Sequence, residues 1–300
     1  MTEGNGLVMF AEPDYAELGE MGYMFADMHF HTNVSDSFTV PEAAVALARE
    51  RGTGLAITDH NLIASIPKAM RAAGGVTVIP GMEVSTTDGP HILVWFYEYR
   101  DLQRFWFGFI RPRLLSCPWL ALEDCPTEKL LGALEGEPCV VSAAHPMGYF
   151  GTNKGMEACI RKGYLDSRLT RMLDAYEVIC GGMTRAGNLS ALAAAESYGL
   201  SYTGGTDGHF LADLGSVVTA VKAHDVDGFL SGIAAGRSVV VGTEKTAAEK
   251  IRTGSESFAK FLEHAPSAMR VQSVSAGRSI RRGAKRAADE IRSLDPRLRG

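Results

Sequence analysis

Between about Met24 and Gly242, short apolar runs alternate with stretches whose apolar residues recur every three or four positions, the signatures of strand and helix in turn. Candidate strands are Tyr23–His29, Gly54–Thr58, Val76–Ile79, His91–Tyr97, Pro138–Ala144, Ala175–Cys180, Ser201–Gly204 and Ser238–Val241. Helical punctuation falls between them. Thr39 and Glu42 have capping-box spacing with Pro41 near the first turn, and that helix stops at Gly52; Leu62–Ala73 runs into Gly74-Gly75; the alanine-rich Arg185–Tyr198 ends at Gly199. Alternation of this kind predicts an α/β fold, either a barrel or a large parallel sheet.

After Gly242 the pattern changes to two helices separated by Pro266–Gly277. In the second, Ile280, Ala284, Ala287, Ile291 and Leu294 form one apolar stripe opposite Arg281, Arg282, Lys285 and Arg286. The stripe suits docking on the barrel or on a second copy of the chain, as a homo-oligomer, and the basic face suits nucleic acid. The chain therefore divides into an N-terminal segment 1–22, an α/β body 23–243 and a basic helical extension 244–300. An aromatic-dense stretch from Trp95 to Phe109, followed by Arg111 and Arg113, reads first as core and lid packing and second as a base-stacking or substrate-capping surface.

At 46 % hydrophobic and 22 % charged residues the composition is globular, which excludes disorder and fibrous repeats. No window approaches the roughly 18 uninterrupted apolar residues of a membrane span, and Met1–Gly22 lacks a basic-then-apolar export signature, so the expected location is the cytoplasm with no membrane partner. Five cysteines without a CxxC pair read as reduced thiols. The net charge of −5 hides a segregation: residues 244–300 hold 13 Lys+Arg against 7 Asp+Glu, and the preceding residues 17 against 28. Acidic groups gathered in a cleft suit hard cations.

The histidines sharpen that reading. There are eight, and six fall in short motifs on or just after candidate strands. His29 and His31 lie two apart in Asp27-Met28-His29-Phe30-His31, the spacing that presents both to one side of a strand, and Asp36 follows past the strand end. Ile57-Thr58-Asp59-His60 brings an acid and an imidazole to the next strand end; Asp59 there either orients a ligand or caps a helix. Pro80-Gly81-Met82-Glu83 sets an acid among apolar residues, His91 opens a strand, Ala144-His145-Pro146 closes another, and Thr206-Asp207-Gly208-His209 repeats the two-apart spacing. Nine N and O donors exceed the four to six that one ion accepts, so two or three divalent ions are expected, with Zn, Mn and Fe all suited to the donors.

In order and spacing, DMHFHTNVSD, ITDH, PGMEVS, His91, AHP and GTDGH closely resemble the PHP (polymerase and histidinol phosphatase) superfamily over about Phe25 to Thr243. The resemblance implies a distorted (β/α)7 TIM-like barrel, here with a basic α-helical C-terminal extension, a di- or trinuclear metal centre and phosphoesterase activity. It implies that His29, His31, Glu83 and Asp207 bind one metal, Asp36, His60 and His209 a second, and Glu83, His91 and His145 a third. Glu83 would bridge, and Glu83 and Asp207 are the expected catalytic carboxylates. Trp95 stands where a glycine is common in the family, which implies a narrower pocket, and Tyr176-Glu177-Val178 runs into Ile179-Cys180 where many members carry an asparagine.

The expected reaction is phosphoester hydrolysis by a metal-bridging hydroxide, on a small phosphorylated metabolite or nucleotide. Arg185 is the first candidate for the phosphate oxygens, with Arg111 and Arg113 behind it. The competing expectations are a nuclease that uses the aromatic stretch and the basic tail, and a metal-bound module without turnover. Deleting Glu244–Gly300 is expected to separate nuclease from small-ester activity.

Overall fold

The structure, a computed structural model, describes residues 7–115, 117, 120–149 and 152–263. Among them ten strands form one sheet: β1 (Leu7–Met9), β2 (Met24–Phe30), β3 (Gly54–Ile57), β4 (Val78–Ser85), β5 (His91–Phe96), β6 (Cys139–Ala143), β7 (Ala175–Cys180), β8 (Ser201–Gly205), β9 (Val217–Val221) and β10 (Val239–Gly242). Their order is β1-β10-β9-β2-β3-β4-β5-β6-β7-β8. Parallel pairing runs through β2-β3-β4 and β6-β7-β8, whereas β5 is antiparallel to both neighbours and β9 to both of its own. Only a short turn joins β4 to β5, and a connection that short permits only an antiparallel partner.

The sheet curls until β8 returns to β2. Gly208 bridges Phe30, its carbonyl accepting the His31 N–H at 2.9 Å, and Thr219 on β9 donates its hydroxyl to the Gly204 carbonyl at 2.9 Å. The result is the distorted, TIM-like barrel that the resemblance implies, built as a mixed sheet with most of its helices outside it.

All eight expected strands are present, with two additions and one extension. Leu7–Met9 pairs in parallel with Val239–Val241, and Val217–Val221 fills the gap between β10 and β2. The third strand does not stop at Ile79: Ile57 pairs with Pro80, and Gly81–Ser85 pairs with His91–Trp95, so Glu83 lies inside β4. The helix Pro41–Arg51 starts without a capping box. Val40 is its N-cap, and the Thr39 hydroxyl donates instead to the His209 carbonyl at 3.3 Å. Arg185–Tyr198 has the expected bounds, capped by Thr184 and closed by left-handed Gly199.

In β4 and β5, Ile79, Gly81 and Glu83 share one face, as do His91, Leu93 and Trp95. Ile79, Leu93 and Trp95 join Ala26, Met28 and Phe229, Leu230 and Ile233 of the helix Val226–Ala234 in one buried cluster. Trp95 therefore plugs the barrel: its indole N–H reaches the Met28 carbonyl at 3.1 Å and its ring fills the space over Gly81, where a Cβ would come within 2.6 Å. It does not line the cavity at the barrel mouth, contrary to the narrowing its sequence position suggested. The helix Ala247–Glu263 begins the basic extension; the expected helix around 280–294 lies outside the described residues.

Candidate metal centre

Six imidazoles and three carboxylates converge on one end of the sheet. Parallel strands finish at a common edge and antiparallel β5 starts there, so His29, His31, His60, Glu83, His91, His145, Asp207 and His209 arrive together from strands far apart in sequence. A parallel bridge between His60 and Glu83 prolongs the β3–β4 pairing up to these two side chains. Asp36 comes from the loop after β2. That loop is fastened by Asp59, whose carboxylate accepts the Thr32 N–H, the Thr32 hydroxyl and the Ser35 hydroxyl, each at 2.7 Å. Asp59 thus holds a loop and caps no helix; Ser65 occupies that N-cap.

Glu83 is the hub. Its Oε1 lies 2.9 Å from His91 Nδ1 and 3.0 Å from His145 Nε2, and its Oε2 lies 2.9, 3.3 and 3.4 Å from His60 Nδ1, His31 Nε2 and His29 Nε2. Asp207 Oδ1 stands 3.2 Å from His31 and 3.5 Å from His29, while Asp36 Oδ2 reaches His209 Nε2 at 3.0 Å and His60 Nε2 at 3.6 Å. Among the described residues three triads have donor atoms mutually within 4.8 Å: His29-His31-Asp207, His31-Asp36-His60 and His60-Glu83-His91. All nine residues singled out in the sequence meet here, although the second and third triads group them differently from the sets implied by the resemblance.

A self-contained hydrogen-bond network does not account for this cluster. His29 Nε2 and His31 Nε2 face each other at 3.1 Å, and Glu83 Oε2, His31 Nδ1 and His145 Nδ1 are buried without a hydrogen bond. Facing imidazole nitrogens, two orphaned ring nitrogens and one orphaned carboxylate oxygen fit bound cations. Electrostatics point the same way. Burial pushes Glu83, Asp36 and Asp207 upward, but the surrounding imidazoles outweigh it and hold all three well below the usual carboxylate range. Burial lowers His29 and His31 in turn, yet the carboxylates lift His29 well above its ordinary value and His31 to about 10. At His91 burial wins over Glu83 and drives the ring down to about 3, so it stays neutral.

Around the cluster stand residues that the sequence reading left without a role. Glu177 on β7 holds His29 Nδ1 at 2.9 Å and accepts the His145 N–H at 2.6 Å. Asp27 accepts from the backbone N–H groups of His29, Thr206 and Gly215 and from the Thr206 hydroxyl, tying β2 to the loop after β8. The Tyr149 hydroxyl donates to the Asp207 carboxylate. Of these, only Glu177 carried a signal, an acid inside an apolar strand like that of Glu83. His145 and Asp207 also adopt positive φ, at 28° and 47°, a conformation that costs a non-glycine residue about 1–3 kcal/mol.

A cavity of about 310 Å³ opens onto the cluster. Its cationic lining residues are Lys154, Lys245 and Lys250. Arg185 is not among them: its Nε pairs with Glu244 at 2.7 Å and its guanidinium lies 4.3 Å over the Phe10 ring. Arg111 and Arg113 likewise stack on Phe107 and Phe109 away from the lining. Most of the aromatic stretch is packing, with Phe96, Phe105 and Trp95 buried and Trp106 donating to the Asn61 carbonyl at 2.8 Å. Among the described residues no helix is long and apolar enough to cross a membrane.

A family model described as PHP-associated matches residues 186–238. The chain is 42 % identical over 77 residues to the 5'-3' exoribonuclease Rnm of Salmonella typhimurium, a match covering 24 % of this chain and 26 % of that protein's length. Its fold is similar to that of a two-domain protein from Bacteroides vulgatus containing a predicted PHP-like metal-dependent phosphoesterase, at TM-score 0.53 and 16 % identity over 86 % of this chain and 74 % of the other. It is also similar to the lesion-specific endonuclease PfuEndoQ from Pyrococcus furiosus, at TM-score 0.54 and 14 % identity over 73 % and 57 % of the two chains.

Proposed function

With the PHP superfamily as premise, we propose that this chain is a divalent-metal-dependent phosphoesterase. The observation that carries the reading is the Glu83 carboxylate, which stands within 3.4 Å of five imidazoles where three cation-sized triads meet a cavity. His29, His31 and Asp207, with Glu83 beside them, would hold one ion; His31, Asp36, His60 and His209 surround a second position; Glu83, His91, His60 and His145 surround a third. Bound there, divalent cations would neutralise a phosphoryl group and lower the pKa of an attacking water toward neutrality. The chain's own residues set that geometry: Glu177 fixes the His29 ring, Tyr149 orients Asp207, and the ammonium groups lining the cavity favour an anionic substrate.

Elemental analysis of wild type and Glu83→Ala, paired with phosphate release from monoesters, diesters and short oligonucleotides, tests the proposal. Glu83→Ala is expected to lose bound metal and at least a hundred-fold in turnover, roughly the scale of removing one group on which charge stabilisation depends. Full metal content and full activity in that variant would sink it. A nuclease is the second reading, favoured by the likeness to the exoribonuclease and by the shared fold of the endonuclease; turnover of oligonucleotides well above that of monoesters in the same panel would select it. Truncation at Glu244 no longer separates the two, because Lys245, Lys250 and Thr253 line the cavity themselves.

A further inference from the structure

We propose that the helix Ala247–Glu263 carries the substrate-recognition wall of the cavity, with Lys250 and Thr253 holding anionic oxygens of the phosphorylated substrate and Gly254 leaving room for its body. The inference rests on the phosphoesterase reading and assigns contacts to a segment beyond the barrel, where no motif pointed.

Side-chain contacts tether the helix at the barrel mouth. Just before it, Lys245 is buried, its Nζ donating to the Asp207 carbonyl at 2.7 Å and pairing with Asp213 at 3.0 Å. Further along, Arg252 lies 3.9 Å over the Phe210 ring and Lys260 4.7 Å over that of Phe38. This seating turns one helical face to the cavity: Lys250, Thr253, Gly254 and Ser257 all line it, at the i, i+3, i+4 and i+7 positions of a single stripe.

Three of these four residues leave something for a phosphate ester to meet. Lys250 donates to the Met183 carbonyl at 2.8 Å, a neutral partner, and among the described residues no carboxylate lies within ion-pair distance of it. Thr253 Oγ1 is shielded and makes no hydrogen bond, a costly state for a hydroxyl that a turn about χ1 toward the cavity would relieve on a ligand oxygen. Gly254 sits inside a helix, where glycine is the poorest residue after proline, yet an added Cβ would meet nothing within 4 Å. Packing therefore does not demand that glycine, and the open space it leaves is the cavity it lines.

The test uses the full metal-loaded chain. Calorimetric titration with inorganic phosphate, the kinetics of p-nitrophenyl phosphate hydrolysis, metal content and Tm are measured for wild type, Lys250→Met, Lys250→Arg, Thr253→Val and Gly254→Leu. Lys250→Met is expected to weaken phosphate binding about ten-fold or more and to raise KM more than it lowers kcat, with Lys250→Arg restoring most of the loss. Thr253→Val is expected to bind phosphate several-fold more weakly while melting no lower than wild type, since it removes an unpaired hydroxyl. Gly254→Leu is expected to raise KM with no fall in Tm. Unchanged phosphate affinity and KM in both Lys250→Met and Thr253→Val would overturn the assignment, as would a joint loss of metal and Tm in both. A wild type that neither binds phosphate nor hydrolyses any ester would instead fell the phosphoesterase reading itself.

Discussion

Glu83 touches five imidazoles with two oxygens, and the charge states that follow govern how the site takes up a cation. Because neighbouring carboxylates lift His29 and His31 above their ordinary range, both rings carry protons near neutral pH, whereas a metal ligand must be unprotonated. Cation uptake should therefore release protons, and apparent affinity should rise with pH toward about 10, where His31 loses its proton unaided. Calorimetry in buffers of differing ionisation enthalpy is expected to find more than one proton released per ion, and none released would contradict these charge states. Glu177→Ala removes the partner of His29 Nδ1 and of the His145 N–H, and should weaken metal binding by about 10–100-fold without abolishing it, read by competition with a chelator. The nine clustered histidines and acids were legible in the sequence, because they stand on or just after strands and keep short spacings. The roles of Glu177, Asp27 and Tyr149 were not: their decisive partners lie far along the chain, as Glu177 with His29, Asp27 with Thr206 and Tyr149 with Asp207, and no local spacing reports them. The reading of Arg185 was reasonable from position alone, but Glu244 lies 59 residues away and only the fold shows that it engages the guanidinium.

Among the elements, the period-two and period-3.6 patterns located eight of the ten strands and the bounds of Arg185–Tyr198, and missed Leu7–Met9, Val217–Val221 and the second half of β4. Val217–Val221, with Thr219 in its middle, went unassigned although strands no longer than it were expected, and Pro80-Gly81 looked like punctuation although β4 pairs straight through it. Where β8 meets β2 the closure depends on a missing side chain. A Cβ on Gly205 would lie 2.4 Å from both the Cβ and the backbone nitrogen of His29, neither of which can yield without moving β2. Gly205→Ala is accordingly expected to cost about 1–3 kcal/mol of stability and to lower metal content as His29 shifts. Thermal melting with metal analysis checks this, and a variant melting like wild type would show that the seam can relax.

For the whole molecule, the segregated charge acquires a structural meaning. The acidic body gathers carboxylates in one buried cluster, and Lys245 and Lys250 from the start of the extension line the same cavity, although residues 244–263 balance four Lys+Arg against four Asp+Glu and the basic excess of the extension lies beyond them. The cysteines are free thiols, as expected, and burial pushes both Cys125 and Cys139 up to about 12. Their raised values mean that the folded state keeps protons that the unfolded chain gives up. The resulting stability is complete below about pH 8.5 and is lost as pH climbs toward 12. Melting curves between pH 8 and 11 should fall more steeply for wild type than for the Cys125→Ala, Cys139→Ala double variant, and equal slopes would refute the assignment.

The triad His29-His31-Asp207 draws on the second strand and on the loop after the eighth. A chain made from its N-terminus holds the two imidazoles early but meets their carboxylate only after some 175 further residues have joined it. Such a site cannot nucleate folding. A cation arriving there finds its partners only once the sheet has closed, and it then stabilises the finished molecule by mass action in proportion to its free concentration. Metal supply would thus govern how long the folded protein survives rather than how fast it forms, and the chain's lifetime would follow the ion its chemistry uses.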